Sequence, residues 1–221
     1  MRNLLYAGVV GPVLFIAAFL VEGFMRPGYS QWRNFVSQLA TGEGGWVQVA
    51  NFVVLGILLL LFSLGLRHAL RGSRGSIGAP ILLAIVALAT LGAGIFTTDP
   101  ALGYPPGEPT VQTARGLIHA VAGLFVFTVL PAAAFVMAWH FAAAPRSRPW
   151  VVYSILVGVV ILVFFVLGIA ASDMEQSGTW ANAPTGIIQR IAIIAGWTWT
   201  AAVGLHLIGK EDGKAHPATK P

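Results

Sequence analysis

No cysteine occurs among the 221 residues, and only 10% of them are Asp, Glu, Lys or Arg. The first absence removes disulfides, thiolate metal sites, Cys nucleophiles and thioether-attached haem. The second removes an ordinary soluble domain, in which about a quarter of the residues are charged. Apolar residues take their place, at 57% of the chain with a mean hydropathy of +0.79. Uncharged apolar runs recur from one end to the other and leave no room for a soluble domain of useful size. The chain reads as one integral membrane domain. Its net charge of +5 does not point to nucleic acid, because the basic residues are not gathered on one soluble face.

Six segments are long enough to cross about 30 Å of hydrocarbon as helices. They fall near 3–21, 47–66, 77–96, 117–139, 150–171 and 187–208, with a polar tail at 210–221. The first lacks the small-residue cleavage pattern of a removable signal peptide and is expected to be retained. Pro12 and Pro131 lie inside spans 1 and 4, where neighbouring helices tolerate a kink. The expected fold class is therefore all-α, a six-transmembrane-helix bundle. Its orientation follows from the cations in the connections. Arg2, Arg67, Arg71, Arg74, Arg146, Arg148, Lys210, Lys214 and Lys220 share one side, against Arg26, Arg33, Arg115 and Arg190 on the other. By the positive-inside rule both termini are cytoplasmic, and the expected location is the cell (inner) membrane. Trp46, Trp139, Trp150 and Tyr153 fall at span ends, as interfacial anchors do.

One histidine is out of keeping with this pattern. His119 sits in "GLIHAVAG" at the start of span 4, on the outer side, whereas His68, His140, His206 and His216 lie on the cytoplasmic side. Span 6 opens similarly with "GIIQRIA", which sets Gln189 against His119. Spans 3 and 5 end in "GIFTTD" and "GIAASD", which sets Asp99 against Asp173. A fainter third copy sets Glu22, at the end of span 1, beside the two aspartates, and Gln48 in "GWVQVA" beside His119 and Gln189. The six spans thus read as three related helical hairpins, each with a carboxylate leaving the membrane and an amide or imidazole re-entering it.

The strings "RPGYS" (26–30), "SQLATGEGGWVQVANFVVLG" (37–56), "TTDP" (97–100), "GLIH" (116–119) and "QR" (189–190) together resemble a known family of multi-pass bacterial and archaeal membrane proteins. That family is called domain of unknown function nine hundred ninety-eight. The resemblance covers all six spans and implies a six-helix membrane protein. It implies no reaction.

The chemistry must come from the outer-side polar residues. Arg190, about one turn into span 6, is expected to pair with Asp99, Asp173 or Glu22, because an unpaired charge there costs several kcal/mol. It serves either as a structural ion pair or as a clamp on a phosphate or carboxylate. His119 and Asp99, at facing ends of one hairpin, form a candidate acid and base pair. Ser37 would complete the residue types of a hydrolytic triad, but no nucleophile-elbow motif accompanies it. A metal ion held by His119, Asp99, Asp173 and Glu22 is a weaker expectation, since neither HxxxH nor HExxH is present. Haem on His68 and His140 is discounted because both adjoin basic loops, and nothing suggests a nucleotide. A proton or ion relay would want ionisable residues near the midplane, and spans 2, 3 and 5 have none. In the first outer loop, Trp32, Phe35, Val36 and Leu39 are spaced as one face of a short interfacial helix after a Ser30 cap. Trp197, Thr198 and Trp199 at mid-depth in span 6 would line an apolar pocket beneath Arg190 or fill the bundle.

These expectations converge on a polar cavity at the outer side for a lipid or isoprenoid-like amphiphile. Arg190, Gln189, Asp173, Glu22 and Gln48 would be ligand-binding, and His119, Asp99 and Ser37 would carry any catalysis. The alternative is a non-catalytic structural or partner-binding subunit whose polar cluster holds the bundle together.

Overall fold

The computed structural model describes residues 2–144 and 146–215. They form six helices: α1 (Arg2–Met25), α2 (Trp46–Ala69), α3 (Gly78–Ile95), α4 (Ala114–Phe141), α5 (Arg148–Gln176) and α6 (Thr185–Ala215), with one short 3-10 turn at Val36–Ala40. No strand occurs among the described residues. The chain is an all-α bundle, and each of its helices is long and apolar enough to cross a membrane. α6 runs on to Ala215, into the stretch read as a tail, and residues 216–221, with His216 and Lys220, lie outside the described residues.

Each helix packs on its neighbour in sequence, and α6 returns against α1, so the six close into a ring. Short connections force neighbours to run antiparallel, and the six passes put both ends of the described chain at one end of the bundle. The other end carries the α1–α2, α3–α4 and α5–α6 loops and is called the loop end below. Leu14, Leu64, Leu88, Leu124, Val166 and Leu205, one from each helix, are exposed. An apolar belt of that extent would drive a water-soluble protein to aggregate, and lipid tails cover it at no cost.

Lipid supplies no hydrophobic force between helices, so close van der Waals packing must hold the ring together. Small residues permit it. A Cβ at Gly8 would collide with the Phe62 ring of α2, and one at Gly158 would collide with Phe135 of α4. Pro12 and Pro131 sit inside unbroken α1 and α4, and both are buried against neighbours.

The long α1–α2 loop does not form the helix expected over 32–39. It turns at residues 31–34, and only Val36–Ala40 is helical, as a 3-10 turn. Val36, Gln38 and Leu39 are all buried, whereas Trp32 is exposed. The loop is tucked into the end of the ring instead of lying in the interface. The reason lies in its polar side chains, which bond to other loops. Asn34 Nδ2 donates to Leu102 O at 3.0 Å, Gln38 Nε2 donates to Ala101 O, and the Trp32 indole donates to Asn182 O at 3.1 Å.

Candidate functional site

Beneath that loop a cavity of about 370 Å³ is bounded by all six helices. Its walls are Phe15 of α1, Phe52 of α2, Ala93 of α3, Phe127 of α4, Phe164 of α5 and Trp197 of α6. Phe35, Val36 and Ser37 close it at the loop end. At the opposite end, the rings of Phe127 and Phe165 stack at 5.0 Å between α4 and α5. Towards the loop end these two helices leave a gap. Ala120 and Leu124 of α4 and Ile169 of α5 line the cavity and are also exposed, so its mouth opens on the bilayer-facing flank between α4 and α5. A Cβ at Gly123, beside that mouth, would meet no atom within 4 Å.

Polar groups in the lining are few and carry no fixed charge: Ser37, Thr90, Thr98, His119 and Gln189. Thr90 donates its hydroxyl back to Val86 O at 2.8 Å. Gln189 Oε1 accepts from the Val36 backbone N–H at 2.8 Å. His119 is 8% exposed, and its Nδ1 lies 3.0 Å from Ala93 O and 2.8 Å from Phe96 O.

These last contacts show what His119 does for the fold. The final carbonyls of a helix have no partner within it. In α3 they are met from α4, by His119 at Ala93 and Phe96 and by Arg115 at Ile95 O (3.2 Å). Asp99 works in the opposite sense. It lies beyond the end of α3, and its Oδ2 accepts from Thr113 N and its Oδ1 from the Thr113 hydroxyl, both at 2.7 Å. Thr113 is the N-cap of α4 and accepts from Gly116 N at 3.0 Å. The carboxylate thus sits at the positive end of α4, where the helix dipole favours it. A side chain at Gly116 would occupy the same space. Each residue of the expected acid and base pair therefore caps a helix, and the two make no hydrogen bond to each other.

The α1–α6 side is built differently. Arg190 is buried, and its guanidinium donates to Gln31 O and Asn34 O at 2.9 Å, to Gly186 O at 3.0 Å and to the Tyr29 hydroxyl. It also lies over the Phe19 and Tyr29 rings, 5.9 and 5.6 Å from their centres. Gly186 lets the loop backbone come this close, since a Cβ there would press on Gln31 O and Asn34 O at 2.5 Å. The N–H groups of Gly186 and Ile187 then find Trp32 O, at 2.9 and 3.2 Å. Burial pushes the Tyr29 phenol up to about 12, against the pull of Arg190. Burial likewise raises the Tyr104 phenol, against the pull of Arg26. Two ion pairs complete this side, Glu22 with Arg26 and Glu175 with Arg33.

The geometry corrects several expectations. Arg190 has no carboxylate partner and does not line the cavity; backbone carbonyls and a tyrosine hold its two terminal nitrogens, and its buried Nε has no hydrogen-bond partner. Glu22 is committed to Arg26. Asp173 is exposed on α5, and Glu175, two residues on, is the carboxylate that turns inward. Gln48 is fully buried, its Oε1 accepting from Asn51 Nδ2 at 3.1 Å, and it too lies outside the cavity. Among the described residues no three of His, Asp or Glu gather as a metal site, so the expected cluster of His119, Asp99, Asp173 and Glu22 is not assembled. The residues matched across the three hairpins have different partners: Glu22 and Asp173 lie within helices, whereas Asp99 lies beyond one. Of the expected set, the structure brings His119, Gln189 and Ser37 to one cavity. Sequence reading missed Thr98, the aromatic walls other than Trp197, and the Arg33–Glu175 pair. Arg33 was legible as a cation of the outer side, but nothing in the sequence joins it to Glu175.

The sequence pattern of a family described as a protein of unknown function (DUF998) matches residues 9–206, from α1 into α6. The chain belongs to the DUF998 family. No curated protein and no solved structure matches it. Membership of DUF998 agrees with an integral membrane protein of six spans and leaves the role of the cavity to be argued from the geometry.

Proposed function

We propose that this protein binds the chain of a lipid or isoprenoid-like amphiphile between its helices. The observation that carries this reading is the cavity itself, apolar on every wall, polar only towards its loop end and open sideways between α4 and α5. A concave apolar site with a few convergent polar groups is the usual form of a small-molecule site. A lateral mouth suits a ligand already dissolved in the bilayer. The distribution of Lys and Arg supports an inner-membrane orientation with both termini cytoplasmic and the loop end outside. The reading includes no reaction, because both groups once considered for acid and base chemistry serve as helix caps. A non-catalytic subunit whose polar cluster holds the bundle is the second reading. It accounts for Arg190, Arg26 and Arg33, whose partners are internal, but it gives no reason for the cavity.

Native mass spectrometry of gently solubilised protein tests this. The wild type should retain an amphiphile adduct. Gly123→Phe, which projects a ring into open space at the mouth, should stay folded and lose the adduct. An adduct retained equally by the folded variant would refute the cavity as the site.

A further inference from the structure

The head of the ligand can be specified further, on the assumption that the cavity is the amphiphile site proposed above. Two of its polar side chains have their orientations fixed by the backbone. Ala93 O and Phe96 O can only accept, so the His119 atom that faces them must be an N–H. The proton of the neutral ring is therefore on Nδ1, and Nε2 is left as a lone-pair acceptor in a residue that is 8% exposed and lines the cavity. Val36 N–H can only donate, so the Gln189 atom facing it must be the oxygen. The Gln189 amide N–H groups are then free to donate into the cavity. Ser37 adds a hydroxyl that makes no other hydrogen bond. The lining offers one strong acceptor, several donors and no fixed charge.

We infer that the cavity selects a lipid alcohol, whose hydroxyl donates to His119 Nε2 and whose oxygen accepts from Gln189 or Ser37, with the chain running along the aromatic walls towards the α4–α5 mouth. An ether or ester head lacks the donor and leaves Nε2 unpaired. A phosphate or carboxylate head brings a charge for which no cation lines the cavity. At about 30 Å³ per water-sized group, the enclosed volume holds roughly a dozen heavy atoms. A longer chain continues out through the mouth into the bilayer. Prenols and acylglycerols that keep a free hydroxyl share this chemistry.

The test uses the full chain in nanodiscs with ¹⁵N-labelled histidine and three probes that share a 6-bromohexyl chain, short enough to keep the bromine inside the cavity: the free alcohol, its methyl ether and its phosphate ester. Bromine quenches Trp197, whose contribution is isolated by comparison with Trp197→Phe. The alcohol should quench at a concentration roughly tenfold or more below the other two, since a buried acceptor left unpaired costs about that factor. It alone should move the His119 Nε2 resonance. In Ser37→Ala and Gln189→Glu the preference for the alcohol should shrink. Equal quenching by all three probes with no movement of Nε2 would overturn the head assignment and leave the amphiphile site standing. If none of the three quenches Trp197, the site and the head assignment both fall.

Discussion

At the loop end of the bundle, two groups of polar residues stand a few helices apart and are used differently. On the α1–α6 side three arginines are held by other parts of the chain: Arg190 by backbone carbonyls, Arg26 by Glu22, Arg33 by Glu175. On the α3–α4 side His119 and Asp99 each close one helix end, and His119 also lines the cavity. The difference follows from charge. A guanidinium in an apolar bundle must be satisfied on nearly all of its N–H groups, which leaves little for a ligand. A neutral imidazole has one donor and one acceptor, so a cap occupies half of it and leaves half free. Under the proposed function, a buried neutral residue is thus a better indicator of the ligand site than a buried cation.

The largest effect that would break this comparison is at Arg190. Arg190→Met removes four hydrogen bonds donated by a charged group, each worth about 1.5–3 kcal/mol, although Asn34 O and the Tyr29 hydroxyl keep their bond to each other. We expect a loss of at least about 3 kcal/mol, read as a lower midpoint of unfolding in mild detergent. A variant that unfolds like the wild type but no longer holds an amphiphile would place Arg190 among the ligand-binding residues after all. Next in size is Asp99→Ala, which strips the Thr113 N–H and hydroxyl of their acceptor and should cost about 1–2 kcal/mol, as for loss of a helix cap. Asp99→Asn keeps an acceptor for Thr113 N and should cost less. Unchanged stability in both variants would show that Asp99 does not serve as a cap.

A pH effect separates the two sides again. The Tyr29 phenol is raised from its ordinary value near 10 to about 12, so the folded state holds this proton more tightly than the unfolded one. Its contribution is complete below pH 10 and is lost as pH climbs towards 12. Tyr29→Phe should flatten the alkaline limb of a stability profile between these values. It should also lower stability at neutral pH, because Arg190 loses an acceptor. An unchanged alkaline limb in the variant would mean that Tyr29 is not the group responsible.

How much of this could be read from the sequence varies with the range of the interaction. Span number and the excess of cations at one end depend on runs of 20 or so residues, and they were legible. So was the anomaly of His119, as a polar residue in an apolar run. Its partners were not, because they are backbone carbonyls of α3, which no side-chain pattern records. The matched strings at 94–99 and 168–173 put Asp99 and Asp173 in equivalent places. α3 ends at Ile95, whereas α5 continues to Gln176, so the same letters lie in a loop once and on an exposed helix face once. For the loop at 31–40, helical spacing gave way to bonds from Asn34, Gln38 and Trp32 to residues far away in sequence. A cavity was expected, but most of its lining was not legible, for a related reason. Its aromatic walls are ordinary residues of apolar helices, and only the ring closure brings them together.

The smallest effect compares two glycines of one helix. Gly116 and Gly123 lie about two turns apart on α4, and Ala at either would gain as much as 1 kcal/mol of helix propensity. At Gly116 the new methyl meets the Asp99 carboxylate, and the carboxylate cannot retreat without releasing Thr113. That gain should be reversed into a net loss. At Gly123 the methyl enters open space beside the mouth and meets nothing within 4 Å, so the gain should survive as a slightly higher midpoint of unfolding. The opposite signs would show that the cap is packed and the mouth is open in the membrane-embedded protein. A loss at both positions would mean that α4 and α5 close on each other at Gly123, and the lateral route into the cavity would have to be abandoned.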